Sequence, residues 1–208
     1  DSEYTLDALD FAELINACHS HPHTDPVSCQ PCLARLRKAA VLYRGDFLAN
    51  FFLADSLAFE EWAMLKREWL RREALQALHY LAAYHQQQGD YEAAYQYAWR
   101  QVELDTLREE AHQQLMRIMA LSGRRSEALA QYEACCQALT EELGVEPEEE
   151  TRALYERIRD GKLDDLSRAP PHNLPVPVTP FVGREAEMAE IEERLGDPDC
   201  RLLTLVGP

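Results

Sequence analysis

Two glycines, Gly89 and Gly123, stand 34 residues apart, and superposing them also brings Ala77 onto Ala111, Leu81 onto Leu115, Tyr84 onto Ile118 and Ala94 onto Ala128. Self-similarity at a fixed interval of this length means that one small unit is built twice and stacked, because neither copy can bury its own apolar face alone. The residue types say what the unit is. Gly89 and Gly123 supply a backbone able to turn the chain between paired helices, and Ala94 and Ala128 are small enough to let two helices approach closely.

An interval of 34 residues is the period of tetratricopeptide helix hairpins. The stretch GDYEAAYQYAWRQVELD resembles the second helix of such a repeat, with Thr106 at a position where the repeat usually carries proline. The flanking sequence continues the helical pattern. Leu9, Phe11, Ala12, Leu14 and Ile15 follow helical spacing from Ala8 to Cys18, with Asp7 placed to cap the first turn. Leu33, Leu36, Ala40 and Tyr43 mark a second helix that Gly45 is expected to end. Ser56 is set to cap a long helix reaching about Gln88, and Gly144 and Pro147 separate the second repeat from a last amphipathic helix through Leu154, Tyr155 and Ile158. The expected fold class is all-α: a tetratricopeptide-like solenoid, with a short α/β fragment at the C-terminus.

That fragment follows a change in composition. GKLDDLSRAPPHNLPVPVTP carries five prolines between Pro170 and Pro180, which disfavours helix and sheet and makes a semi-rigid tether. The expected domains are therefore a helical domain over 1–162, a proline-rich linker over 163–179 and the opening of a second domain over 180–208. In the last of these a helix from about Glu185 to Leu195 and a buried strand from Arg201 to Val206 lead to Gly207 and Pro208.

Charge narrows the choice of partners. With 37 acidic against 21 basic residues the formal net charge is -16, which repels a phosphate backbone, so this stretch is not expected to grip DNA by itself. No apolar run is long enough to span a bilayer and the N-terminal DSEYTLDALDF is not a signal peptide, so the expected location is cytoplasmic, with no membrane partner. The six cysteines then read as thiols or metal ligands and not as a disulfide framework.

Several blocks together carry a resemblance. LYRGDFL, FEEWAMLKREWLRREALQAL, LREEAHQQLMRIMALSGRRSEALAQYEACCQAL and EELGVEPEEETRALYERI occur in order and resemble the bacterial transcriptional activator domain of antibiotic-regulatory and AfsR-like regulators. The resemblance implies a regulatory, protein-binding role in transcription, with an OmpR-type winged-helix DNA-binding domain upstream. Its implied partners are that domain, RNA polymerase and a second copy of the chain, with DNA reached only through the upstream domain. The segment FVGRE followed by LLTLVGP resembles the start of a STAND-class P-loop ATPase, which would make Gly207 the first glycine of a Walker A loop. The lysine and hydroxyl residue that such a loop needs for ATP and magnesium lie past Pro208, so ATP is expected only in a longer parent protein.

One stretch carries its own chemistry. In CHSHPHTDPVSCQPC, Cys18 and His21 form one pair and Cys29 and Cys32 another, a spacing that can supply the four ligands of a closed, structural zinc site. His23 is an alternative ligand. Such a metal would staple the end of the first helix to the start of the second. Cys135 and Cys136 are adjacent and point apart, which suits packing, and His79, His85 and His112 read as packing or surface residues of the repeats. No nucleophile is paired with a base, so the chain is not expected to be an enzyme. The competing readings are a stand-alone tetratricopeptide adaptor and the sensory front end of an ATP-hydrolysing signalling protein that does not act on transcription.

Overall fold

The structure, a computed structural model, describes residues 6–22, 25–53 and 55–162. The expected linker over 163–179, the expected ATPase opening over 180–208 with Gly207, and His23 lie outside these residues.

Among the described residues there are seven α-helices and no strand: α1 (Asp7–His19), α2 (Gln30–Leu42), α3 (Leu57–Gln87), α4 (Tyr91–Leu104), α5 (Glu109–Leu121), α6 (Arg125–Leu143) and α7 (Glu149–Arg159), with a 3-10 turn at Pro26–Ser28 before α2. Each helix packs along the next, α1 on α2, α2 on α3, α3 on α4, and so on to α6 on α7; α5 also meets α7 and α3. This serial packing is that of a helical solenoid, as the repeat requires.

Local chemistry explains most boundaries. Ser56 caps α3, its Oγ accepting from the Phe59 N–H at 3.4 Å, and Asp90 caps α4 by accepting from the Ala93 N–H at 3.2 Å. Gly89 (φ 74°) and Gly123 (φ 83°) are both left-handed, so the equivalent turns α3–α4 and α5–α6 use the same backbone state that only glycine adopts without strain. Gly144 closes α6 in the same way, at φ 68°. Two expectations need correction. Leu6 occupies the cap position of α1, so Asp7 falls inside the helix, where its carboxylate accepts from the Ala8 N–H. And α2 stops at Leu42, before Gly45, because Tyr43 turns into extended backbone with its N–H still bonded to the Ala39 carbonyl.

The repeat pairs become buried pairs. Ala94, Ala111, Ala128, Leu81 and Leu115 are wholly buried, as is Ile118, while its partner Tyr84 is half-buried. Two core clusters result. Phe11, Ile15, Leu33, Leu36, Leu70 and Leu78 fill one between α1, α2 and α3, and Ala94, Ala98, Leu115, Met116, Leu154 and Ile158 lie in the other, between α4 and α7. Burying aliphatic side chains of this size stabilises by about 1.5–3 kcal/mol each before the entropy of ordering the chain is subtracted.

Arginines tie the layers together at helix ends, where carbonyls lack partners. Arg100 on α4 donates to the carbonyls of Ala40 (2.7 Å) and Tyr43 at the end of α2. Arg71 on α3 donates to the last carbonyl of α4, at Leu104, and Arg125 on α6 to that of α7, at Arg159. Arg67 holds the segment before α3 through the carbonyls of Phe47 (2.6 Å) and Leu48 (2.9 Å).

Candidate functional site

The loop from α1 to α2 brings the expected metal-binding residues together. Cys18 lies in the last turn of α1, Cys29 occupies the cap position of α2, and Cys32 lies in its first turn. One ligand atom each from His21, Cys29 and Cys32 lie within 4.8 Å of one another. The Cys29 Sγ and His21 Nδ1 are 3.5 Å apart. Cys18 stands outside that mutual set: its thiol points at the Cys32 carbonyl, 3.7 Å away, and also engages the Cys32 side chain. Arg35, one turn along α2, directs Nη1 at the Cys32 Sγ from 3.8 Å.

Position explains how these thiols behave. Cys18 and Cys32 are buried and Cys29 is half-buried; none is in a disulfide. Burial pushes the Cys18 thiol up to about 12, with the neighbouring Cys32 adding to the effect, and burial likewise raises Cys32. Without a cation they are protonated, packed thiols. Cys135 is also buried, its thiol pushed up to about 12 chiefly by desolvation, while Cys136 beside it on α6 is half-buried, in keeping with packing roles.

A second feature is apolar. Leu57 (75% exposed) and Leu65 (67% exposed) stand out from the first half of α3, with Trp62 and Met64 between them and Phe51 and Phe52 on the preceding segment. Of these, Trp62 lines a groove of about 760 Å³ that also takes in Leu6 before α1, Leu9 of α1, Phe47 and Leu70. Isolated exposed leucines are ordinary, whereas several large apolar side chains exposed on one short stretch are less so. By contrast the Tyr91, Tyr95 and Trp99 series on α4 is mostly packing: Tyr91 and Tyr95 lie against the second core cluster, and Trp99 stacks on Tyr95 with centroids 6.1 Å apart.

The family model for the bacterial transcriptional activator domain matches residues 6–159, which takes in every helix described above. The chain belongs to the bacterial transcriptional activator domain family. Among curated proteins it is similar to the regulatory protein AfsR of Streptomyces griseus, 40% identical over 110 residues, covering 48% of this chain and 11% of that protein. It is also similar to the regulatory protein AfsR of Streptomyces coelicolor, 37% identical over 100 residues, covering 43% of this chain and 10% of that protein. The chain thus spans about a tenth of the length of the curated relatives it matches. No helix of the activator domain is long and apolar enough to cross a membrane, among the described residues.

The activator domain also holds a buried polar seam that reading the sequence missed. From Ala111 to Met116 every residue of α5 is buried, His112, Gln113 and Gln114 included, because α5 is flanked by α3, α4, α6 and α7. Their polar atoms are answered from the neighbouring helices. Gln101 of α4 donates to the Gln114 Oε1 (2.7 Å), and Gln114 donates to the His79 carbonyl of α3 (3.1 Å). On the other side Gln113 donates to the Thr151 Oγ1 (2.9 Å), and Thr151 donates to the Glu109 carboxylate (2.5 Å), which also receives the Glu148 N–H at the start of α7. His112 is held at both nitrogens, Nε2 at 3.0 Å from the Thr106 carbonyl and Nδ1 at 2.7 Å from the Gln131 amide nitrogen. Those partners call for a neutral ring with its proton on Nε2, and burial lowers the His112 pKa accordingly. Gln101 Oε1 is left buried without a partner among the described residues. The run His112-Gln113-Gln114 gave no signal of this by itself, because three successive residues span about 200° of a helix and a solvated face can hold them all.

Proposed function

We propose that the chain is the helical coupling module of a transcriptional activator, joining an upstream winged-helix DNA-binding domain to a downstream P-loop ATPase switch and acting by binding protein. The observation that carries this reading is the match of the activator-domain family across residues 6–159 together with an exposed apolar face on α3. Trp62 links that face to the groove lined by Leu6 and Leu9, at the point where the chain enters α1. An upstream domain is therefore delivered beside it, and we assign the face to that domain. The net charge of -16 supports leaving DNA contact to the upstream domain. Resemblance of FVGRE and LLTLVGP to the opening of a STAND-class ATPase supports the downstream half, and a Gly-Lys-Thr or Gly-Lys-Ser within roughly ten codons after Pro208 is its direct check.

The test uses the intact regulator carrying Leu57→Asp and Leu65→Asp together, with a reporter driven by its own promoter. Both side chains are largely exposed, so helical content and thermal midpoint are expected to hold, while activation falls about tenfold, the size of losing one well-packed interface anchor. Unchanged activation by a folded variant would overturn the assignment of this face.

A further inference from the structure

We propose that Cys18, His21, Cys29 and Cys32 hold one zinc ion, in a closed tetrahedral site that fastens the end of α1 to the start of α2. The inference is independent of the transcriptional reading. It rests first on geometry. In a tetrahedral site with zinc–sulfur and zinc–nitrogen bonds of about 2.3 and 2.0 Å, neighbouring ligand atoms stand about 3.5–3.8 Å apart. The Cys29 Sγ and His21 Nδ1 are separated by 3.5 Å, and with Cys32 they form a set of donors within 4.8 Å of one another. Cys18 is already hydrogen-bonded to Cys32, which places its thiol beside the set, and a change of its side-chain torsion toward the three donors would make it the fourth ligand.

The surroundings suit a thiolate-rich metal. Three thiolates, one neutral imidazole and a divalent cation sum to a single negative charge. Arg35 points its guanidinium at the Cys32 sulfur, and Cys29 and Cys32 occupy the first turn and cap of α2, where the helix dipole is positive. Cys29 makes no capping hydrogen bond to the first turn of α2; its sulfur is turned instead toward His21 and Cys32, the other two donors of the set. Among the described residues between α1 and α2, the regular structure is the short Pro26–Ser28 turn, held by Asp25, whose carboxylate accepts from the Val27 N–H (3.0 Å) and the Ser28 hydroxyl (2.9 Å), and by packing against α2 and α3, where Val27 is buried. A metal would add a direct tie between α1 and α2. All four coordination positions are filled by protein, so the ion has no open site for a substrate and its role is structural.

The experiment is metal analysis of the full chain purified without added zinc, followed by exchange into cobalt(II) and optical spectroscopy. The expected result is one zinc per chain, replaced by cobalt with the visible absorption of a tetrahedral ion and a thiolate-to-cobalt charge-transfer band. Cys29→Ser and Cys32→Ser are expected to lose the metal and Cys136→Ser, on α6, to keep it. Because Cys29 is half-buried, its variant retains the fold, and far-ultraviolet circular dichroism checks this. Arg35→Ala is expected to lower zinc affinity about tenfold without abolishing binding. Negligible metal in the wild-type chain would overturn the proposal, as would equal metal in wild type and a folded Cys29→Ser chain. A metal-free chain two mass units light, the mark of a disulfide, would also overturn it. Loss of zinc with His23→Ala but not His21→Ala would overturn the ligand set.

Discussion

Where α4, α5 and α6 meet, the buried residues include Ala94, Ala98, Ala111 and Ala128; on α1 and α2 they include Phe11, Ile15, Leu33 and Leu36, with Ala39 and Ala40. The two regions are both helix hairpins, yet they are held together by different means. In the repeats, alanines let helices come close, a single left-handed glycine turns the chain, and the same solution is used twice. In the first hairpin Phe11, Leu33 and Leu36 are buried beside small Ala39 and Ala40, the connection is long, and His21, Cys29 and Cys32 gather where it enters α2. The comparison teaches that a repeated contact leaves a period in the sequence, whereas a contact made once leaves only residue types.

Four measurements sharpen or break this contrast. The largest effect is expected from Leu115→Ala, which empties the centre of the second cluster and should lower unfolding free energy by about 2–5 kcal/mol in denaturant titration. The matched Leu33→Ala change in the first cluster should cost a similar amount, and a much smaller loss there would show that the first hairpin does not depend on its apolar core. Next is Arg100→Met, which removes the two donated bonds linking α4 to the end of α2; a loss of about 1.5–3 kcal/mol is expected, with hydrogen exchange quickening in α2 ahead of α5. If exchange rises equally in both, the two regions are one cooperative unit.

Smaller still is Gly123→Ala. No atom lies within 4 Å of an added Cβ, so the cost is the backbone's alone, about 1–2 kcal/mol, and Gly123→Asn should recover part of it. The gentlest test is pH. Burial lowers the pKa of His79 and His112 below the ordinary histidine value of about 6.5 in the folded state. The unfolded chain therefore binds more protons than the folded one between the two values, and stability is complete above about pH 6.5 and is lost as pH falls below it. Thermal midpoints measured from pH 7.5 to 5 should decline, and His112→Gln should flatten the decline, because a glutamine does not titrate.

Much of the fold was legible because it is written in backbone necessity. Gly89, Gly123 and Gly144 need positive φ, Ser56 offers a hydroxyl just before an apolar run, and small residues recur where helices touch. The first hairpin was less so. Asp7 looked like a cap because acidic residues favour helix starts, but the Leu6 carbonyl already accepts the first helical bonds, from Leu9 and Asp10. Gly45 looked like a stop, yet the chain leaves the helix at Tyr43, where Arg100 of a distant helix collects the carbonyl. Of the candidate metal ligands, His21, Cys29 and Cys32 lie together, while Cys18 stands outside that set with its thiol turned to a carbonyl. The arginines that cap foreign helices, and the glutamines buried in α5, were illegible for a common reason. Long polar side chains on an amphipathic helix look solvated until the partners 13 to 60 residues away are known.

The seam of amides along α5 has a consequence for anyone who would rebuild this array. A stack joined only by oil tolerates a foreign hairpin or a slipped one, since grease fits grease. Here Gln114 must find Gln101 and a main-chain oxygen, and Gln113 must find Thr151, so a borrowed module lacking those teeth would bury orphaned amides and be rejected. The array is keyed like a lock, and its order cannot be shuffled at will.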